Sequence, residues 1–159
     1  MFISDMIVVM KLGVVQQIGA PQEVYDDPTN LFVAKFLGTP PINVFEGIVS
    51  GGKLYIGDAA VLDVPGVQDQ PVYIGIRPEG FIPDVNGPLT CNLSGVDVMG
   101  RDVSLVTTHA ASLNPVVRSI VDAEAVKMAT GATVSYSLKP HKVFLFSKEN
   151  ENRIYFEVK

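Results

Sequence analysis

The sequence predicts a mainly β fold, a barrel or sandwich of many short strands. Three observations carry this. Apolar residues alternate with period two in several runs: Val72, Ile74, Ile76; then Val134, Tyr136, Leu138; then Ile154, Phe156, Val158. The chain of 159 residues contains 14 Gly and 11 Pro, which punctuate those runs as turns. Helical signals are short and almost confined to the first 40 residues.

Taken in order, residues 1–19 read as strand, turn, strand. Ile7, Val8 and Val9 are β-branched, Gly13 supplies the turn and Val14–Ile18 returns. Pro21 suits a first helical position, where its missing N–H costs nothing, and Ala20 before it is a poor N-cap. A second short helix is expected with Asp27 as cap, Pro28 as start, stacked pairs Phe32/Phe36 and Val33/Leu37, and Gly38 as stop. The step Thr39-Pro40-Pro41 forces the chain to leave extended and marks a boundary, dividing it into 1–40 and 41–159. Beyond it, Val44–Ser50 and Lys53–Ile56 flank Gly51-Gly52, a hairpin signal. Val116–Val121 and Val143–Phe146 are further strands, and Asp122–Ala129 is a short helix or a loop.

Composition excludes several classes. Hydrophobic residues at 47% against 18% charged argue for an ordered chain, and 17.1 kDa suits one domain with a short extra piece. A net charge of −5 opposes approach to phosphate backbones, so nucleic acid is not an expected partner. The single cysteine, Cys91, forms no internal disulfide and no thiolate metal cluster. No apolar run reaches the roughly 18–20 residues of a membrane helix, and no signal peptide is visible, so the expected compartment is the cytosol.

Motifs that resemble catalytic sites fail on inspection. Gly47 to Lys53 has phosphate-loop spacing, but Leu54 stands where a Ser or Thr must hold magnesium, and the stretch reads as strand, turn, strand. His109 and His141 lack metal-ligand spacing and read as surface or turn residues, and Cys91 reads as a small, partly buried residue. No serine sits in a nucleophile elbow. The residues by themselves support a non-enzymatic module.

A resemblance adds to this. Met6 to Met10 and Gly13 to Tyr25, continued by Asp27 to Asn43, resemble the end of the ATP-binding domain in the maltose-type subfamily of ABC-importer ATPase subunits. Gly75-Ile76-Arg77-Pro78-Glu79 is similar to a recurring segment of that family's C-terminal extension. So are Val96 to Val106 about Gly100, and Gly131 to Val134 with Lys139 to Phe146. The resemblance implies an OB-like β-barrel of TOBE type at 41–159, with a β-hairpin and two short helices at 1–40 left from an α/β ATPase domain. In the family the nucleotide motifs precede the segment matching Ile3-Ser4-Asp5, so no ATP hydrolysis and no cofactor are expected here, ATP and magnesium belonging to the implied parent. It further implies a regulatory or dimerisation role in carbohydrate or related uptake, with a homodimer, permease subunits and a cytoplasmic regulatory protein as partners. The parent would sit on the inner face of the membrane.

Two departures from the family pattern are Leu12 at the hairpin tip and Ala20 where Ser or Thr is common. Thr107–Pro115 matches poorly, leaving its strand register open. The site candidates are Arg77 and Glu79, just past a strand end, and Gly100 and Arg101, in a turn whose glycine permits positive φ. Arg77 and Glu79 either hold an interdomain or intersubunit contact or form one local ion pair in a Pro-set turn. The helix faces at Phe32/Phe36 and Val33/Leu37 are expected to pack, and the first 40 residues to expose an apolar patch. Two other functions are kept beside the regulatory one. A sugar- or oxyanion-binding module would need converging donors in a pocket, and an oligonucleotide-binding barrel would need a basic groove with stacking aromatics.

Overall fold

The computed structural model describes residues 5–38, 40–128 and 131–158. Thr39 of the expected boundary, Ala129 of the expected helix or loop, and Ile3-Ser4 lie outside the described residues. The chain opens with a hairpin, β1 (Ile7–Lys11) and β2 (Val14–Gly19), followed by helices α1 (Pro21–Asp26) and α2 (Leu31–Phe36). The strands β3 (Asn43–Ser50), β4 (Lys53–Ile56), β5 (Ala59–Asp63), β6 (Gln70–Ile76), β7 (Phe81–Pro83), β8 (Leu89–Met99) and β9 (Asp102–Thr108) come next. The chain ends with β10 (Val117–Asp122), β11 (Thr133–Leu138), β12 (Val143–Ser147) and β13 (Arg153–Ile154). The fold is mainly β, as expected.

Two antiparallel sheets enclose the main core. One has the order β13-β12-β6-β3-β4-β5; the other, β10-β9-β8-β11-β7, is nearly closed, its edge strands β10 and β7 approaching each other. Alternation decides which face each side chain takes. Val72, Ile74 and Ile76 of β6 point into the main core with Phe45, Val49, Leu105, Val134 and Leu145. Cys91 is buried there as well, and burial pushes its thiol up to about 11. Strand β12 reads as an unbroken apolar run, Val-Phe-Leu-Phe, because both its faces are covered. Val143 and Leu145 face the main core, while Phe144 and Phe146 join a second cluster with Leu31, Ala34, Ile42 and Val44.

That second cluster is where the N-terminal elements dock. Leu31 and Ala34 of α2 press on the outer face of the six-stranded sheet. On its other side Val33 joins Val9 and Val24 in a third cluster, with Ile7, Phe32 and Leu37 partly buried against it. Helix α2 is thus a wedge with two apolar faces. Gly75 makes room for this docking, since a Cβ there would lie 2.8 Å from Ile42 Cδ1.

Two expectations need correction, and two open ones are resolved. Helix α2 is capped by Asn30, whose Oδ1 accepts from the Val33 N–H at 2.9 Å, not by Asp27 with Pro28 as start. Residues 27–30 are instead held extended by the chain end: Asn30 bridges Asn152, and Thr29 O accepts from the Arg153 N–H. The alternation at 154–158 yields a strand only over Arg153–Ile154; Phe156 leaves the ladder to pack against the main core. Residues 123–128 form a 3₁₀ turn, settling the choice between helix and loop over the described part of that stretch. The open register near 107 resolves as Thr107 opposite Val117, after which the chain loops out and returns through a bridge of Ser112 to Phe45.

The β1–β2 turn carries strain. Leu12 has φ 50° and Gly13 φ 80°, the paired left-handed conformation of a two-residue hairpin turn, and Leu12 is 96% exposed. A Cβ-bearing, non-hydrogen-bonding side chain in this region costs about 1–2 kcal/mol, and packing returns nothing at so exposed a site. Leu12→Asn is therefore expected to stabilise the hairpin by about 1 kcal/mol, seen as a higher denaturant midpoint or slower amide exchange in β1 and β2.

Candidate functional site

The feature that stands out chemically is a buried arginine between the N-terminal elements and the sheet. Arg77 follows β6, where Pro78 opens a 3₁₀ turn and the chain leaves the sheet. Its side chain is directed back under α1 and α2, and the residue is 1% exposed. Nη1 donates to Ala34 O at 2.9 Å and to Leu37 O at 3.1 Å; Nη2 donates to Tyr25 O at 2.8 Å. These carbonyls stand at the ends of two six-residue helices, where no further turn exists to satisfy them. A guanidinium is suited to the task, with planar donors fixed in a fork and a charge that favours helix C-termini.

The rest of the site stacks around that group. The Arg77 guanidinium carbon lies 3.9 Å from the centre of the Tyr25 ring and 5.5 Å from that of Phe144. The Tyr25 hydroxyl donates to Glu79, 2.8 Å to Oε2 and 3.0 Å to Oε1. Lys142 Nζ lies 3.4 Å from Glu79 and 3.9 Å from Asp26. Gly38 closes the cluster at φ 110°, where a Cβ would meet the Tyr25 ring at 3.0 Å.

Charges respond to this environment. Burial lowers the Arg77 pKa from its ordinary value, opposed by the neighbouring Tyr25, Glu79 and Asp26. Burial, then the hydrogen bond to Glu79, raises the Tyr25 phenol. Burial also raises the Glu79 carboxyl, but its backbone hydrogen bond, the Tyr25 hydroxyl and Lys142 together hold it below the usual carboxylate range.

Arg77 and Glu79 therefore belong to one cluster without pairing with each other. Each reaches the N-terminal elements, Arg77 directly and Glu79 through Tyr25. The local ion pair is not formed. Gly100 and Arg101 are elsewhere, in the β8–β9 turn, with Gly100 at φ 68° and Arg101 exposed. Sequence reading missed Tyr25, Lys142 and Arg153. Tyr25 reads as an ordinary helical residue, and only its distant partners give it a role. Histidine 109 is a turn residue, its Nδ1 accepting from the Ala111 N–H at 3.0 Å. No group of His, Cys, Asp and Glu able to hold a metal occurs among the described residues. A surface groove over β3 and β4 contains Glu46, Tyr55 and Lys148, but its two charges are paired with each other at 3.1 Å.

Two outcomes follow from this cluster. Arg77→Lys is expected to cost about 3 kcal/mol in denaturant unfolding, because one ammonium cannot replace a fork bridging both helix ends and leaves buried carbonyls unpaired. Glu79 titrates lower in the folded chain than in the unfolded one, where its pKa is about 4.3. The unfolded state thus binds the proton first as pH falls. The Glu79 contribution is complete above that value and is lost as pH drops through the folded one. Melting temperature measured from pH 6 to pH 3 is expected to fall less steeply for Glu79→Gln than for the parent chain.

No protein-family model matches the chain. Among curated proteins it is 35% identical over 158 residues to the sn-glycerol-3-phosphate import ATP-binding protein UgpC of Jannaschia sp. (strain CCS1), covering 97% of this chain and 43% of that one. It is 37% identical over 123 residues to the lactose transport ATP-binding protein LacK of Rhizobium radiobacter, covering 69% and 34%. It is also 33% identical over 120 residues to the putative uncharacterized ABC transporter ATP-binding protein YcjV of Escherichia coli (strain K12), covering 68% and 33%. The chain spans less than half the length of these relatives. The docked hairpin and helices, the β-barrel and these similarities agree: the chain matches the C-terminal part of ABC-transporter ATP-binding proteins.

Proposed function

We propose that this chain is the regulatory and dimerisation part of a bacterial ABC-importer ATP-binding subunit serving uptake of a carbohydrate or related solute, and is not itself catalytic. The observation that carries this reading is the Arg77 joint. It ties the two helices that follow the hairpin to the barrel through buried, directional bonds. A barrel held this way transmits force to whatever the N-terminal elements belong to. In the full subunit those elements would be the last part of the ATPase domain, with residues 41–159 as the regulatory domain. Opening or closing of two barrels would then bias opening or closing of two motors.

The exposed apolar residues Val8, Met10 and Ile18 support the same reading, since they share the outer face of the hairpin, a surface suited to being covered. ATP and magnesium would be bound by the remainder of the subunit. The partners would be a second copy, the permease subunits and a cytoplasmic regulatory protein, with the assembly at the inner face of the membrane. No helix among the described residues is long and apolar enough to cross a membrane. Nucleic acid has no part in this mechanism.

Sedimentation equilibrium and a phosphate-release assay on the purified chain test the proposal together. The expected result is a concentration-dependent dimer with no ATP turnover. A strict monomer at every concentration would remove the dimerisation role, and measurable turnover would remove the non-catalytic one.

A further inference from the structure

A second arginine reaches the same N-terminal elements from the far end of the chain. Arg153 Nη1 donates to Pro28 O at 2.8 Å and pairs with Asp27 Oδ1 at 2.9 Å, and its side chain is only 11% exposed. Its guanidinium lies 4.6 Å from the centre of the Phe144 ring, which Arg77 also approaches, and 4.4 Å from that of Tyr155. Tyr25, Arg77, Phe144, Arg153 and Tyr155 thus form one alternating ladder of rings and cations. The backbone reinforces it. The Leu31 N–H donates to Glu151 O, the Arg153 N–H donates to Thr29 O, and Asn30 bridges Asn152. The strap begins in a tight turn, where the Glu151 N–H donates to Ser147 O and Glu151 itself is held at φ 64°, a conformation that disfavours its side chain.

We infer that residues 147–155 are a releasable strap that locks the N-terminal elements onto the barrel. Two physical facts make release local. Helices of six residues do not persist without packing, and the buried core of the hairpin unit is Val9, Val24 and Val33. Its order therefore depends on the joint. The barrel, by contrast, has a large core of its own, to which the strap adds only an edge strand and the partly buried Ile154. Strain at Glu151 works against the closed strap, so a partner that engages residues 151–155 loosens the start of α2 while the Arg77 bonds and the barrel stay in place. The strap acts within this chain and holds whether or not the transport role does.

Amide hydrogen exchange on the whole chain tests this. Arg153→Ala is expected to speed exchange at Leu31, Val33 and Ala34 by about tenfold, with Ile74, Leu105 and Val134 unchanged. Glu151→Asn, which relieves the left-handed strain, is expected to slow exchange at the same helix amides. Coupling is reciprocal, so Gly38→Ala, which crowds Tyr25, is expected to speed exchange of the Arg153 amide. Unchanged rates at 31–34 in Arg153→Ala, or an equal acceleration throughout the barrel, would overturn the strap.

Discussion

A guanidinium buried at the ends of two short helices holds this molecule together. An arginine taken out of water is costly unless its donors are matched, and a helix end buried without partners is costly too. Arg77 and the carbonyls of Tyr25, Ala34 and Leu37 cancel both costs in one place. The match leaves Arg77 Nε without a hydrogen-bond partner, as is Nε of Arg153. Both groups lie beside Phe144, whose ring face compensates part of that loss.

Around this joint the apolar surfaces are arranged in series. The main core lies between the two sheets, the second cluster between the outer sheet face and α2, and the third between α2 and the hairpin. Each layer depends on the one beneath it. Strand β12 contributes to the first two layers through opposite faces, which is why no polar residue interrupts Val143 to Phe146. Beyond the third layer the hairpin's other face has no cover among the described residues, and Val8, Met10 and Ile18 stay exposed.

The second arginine, Arg153, explains where helix α2 begins. Asp27 and Pro28 have the chemistry to start a helix, yet both are engaged by Arg153, and the backbone of 29–30 is bridged to 152–153. Capping therefore passes to Asn30, three residues further on. A local propensity of about 1 kcal/mol gives way to a set of long-range bonds that together exceed it.

The sequence alone determined the elements whose cause is local. Period-two alternation placed β6 and β11, Gly51-Gly52 placed the β3–β4 turn, and Pro21 placed the start of α1, because each depends on neighbours within a few residues. Resemblance to a family added the barrel and drew attention to Arg77 and Glu79. Tertiary structure alone decided which groups those two residues meet, since Tyr25 and Lys142 lie 52 and 65 positions from Arg77 along the chain. It alone shortened the final strand to Arg153–Ile154 and sent Arg153 to the N-terminal loop. Alternation reports which side of a strand is apolar; it carries no information about which distant backbone offers an unpaired carbonyl, and that need is what placed both arginines.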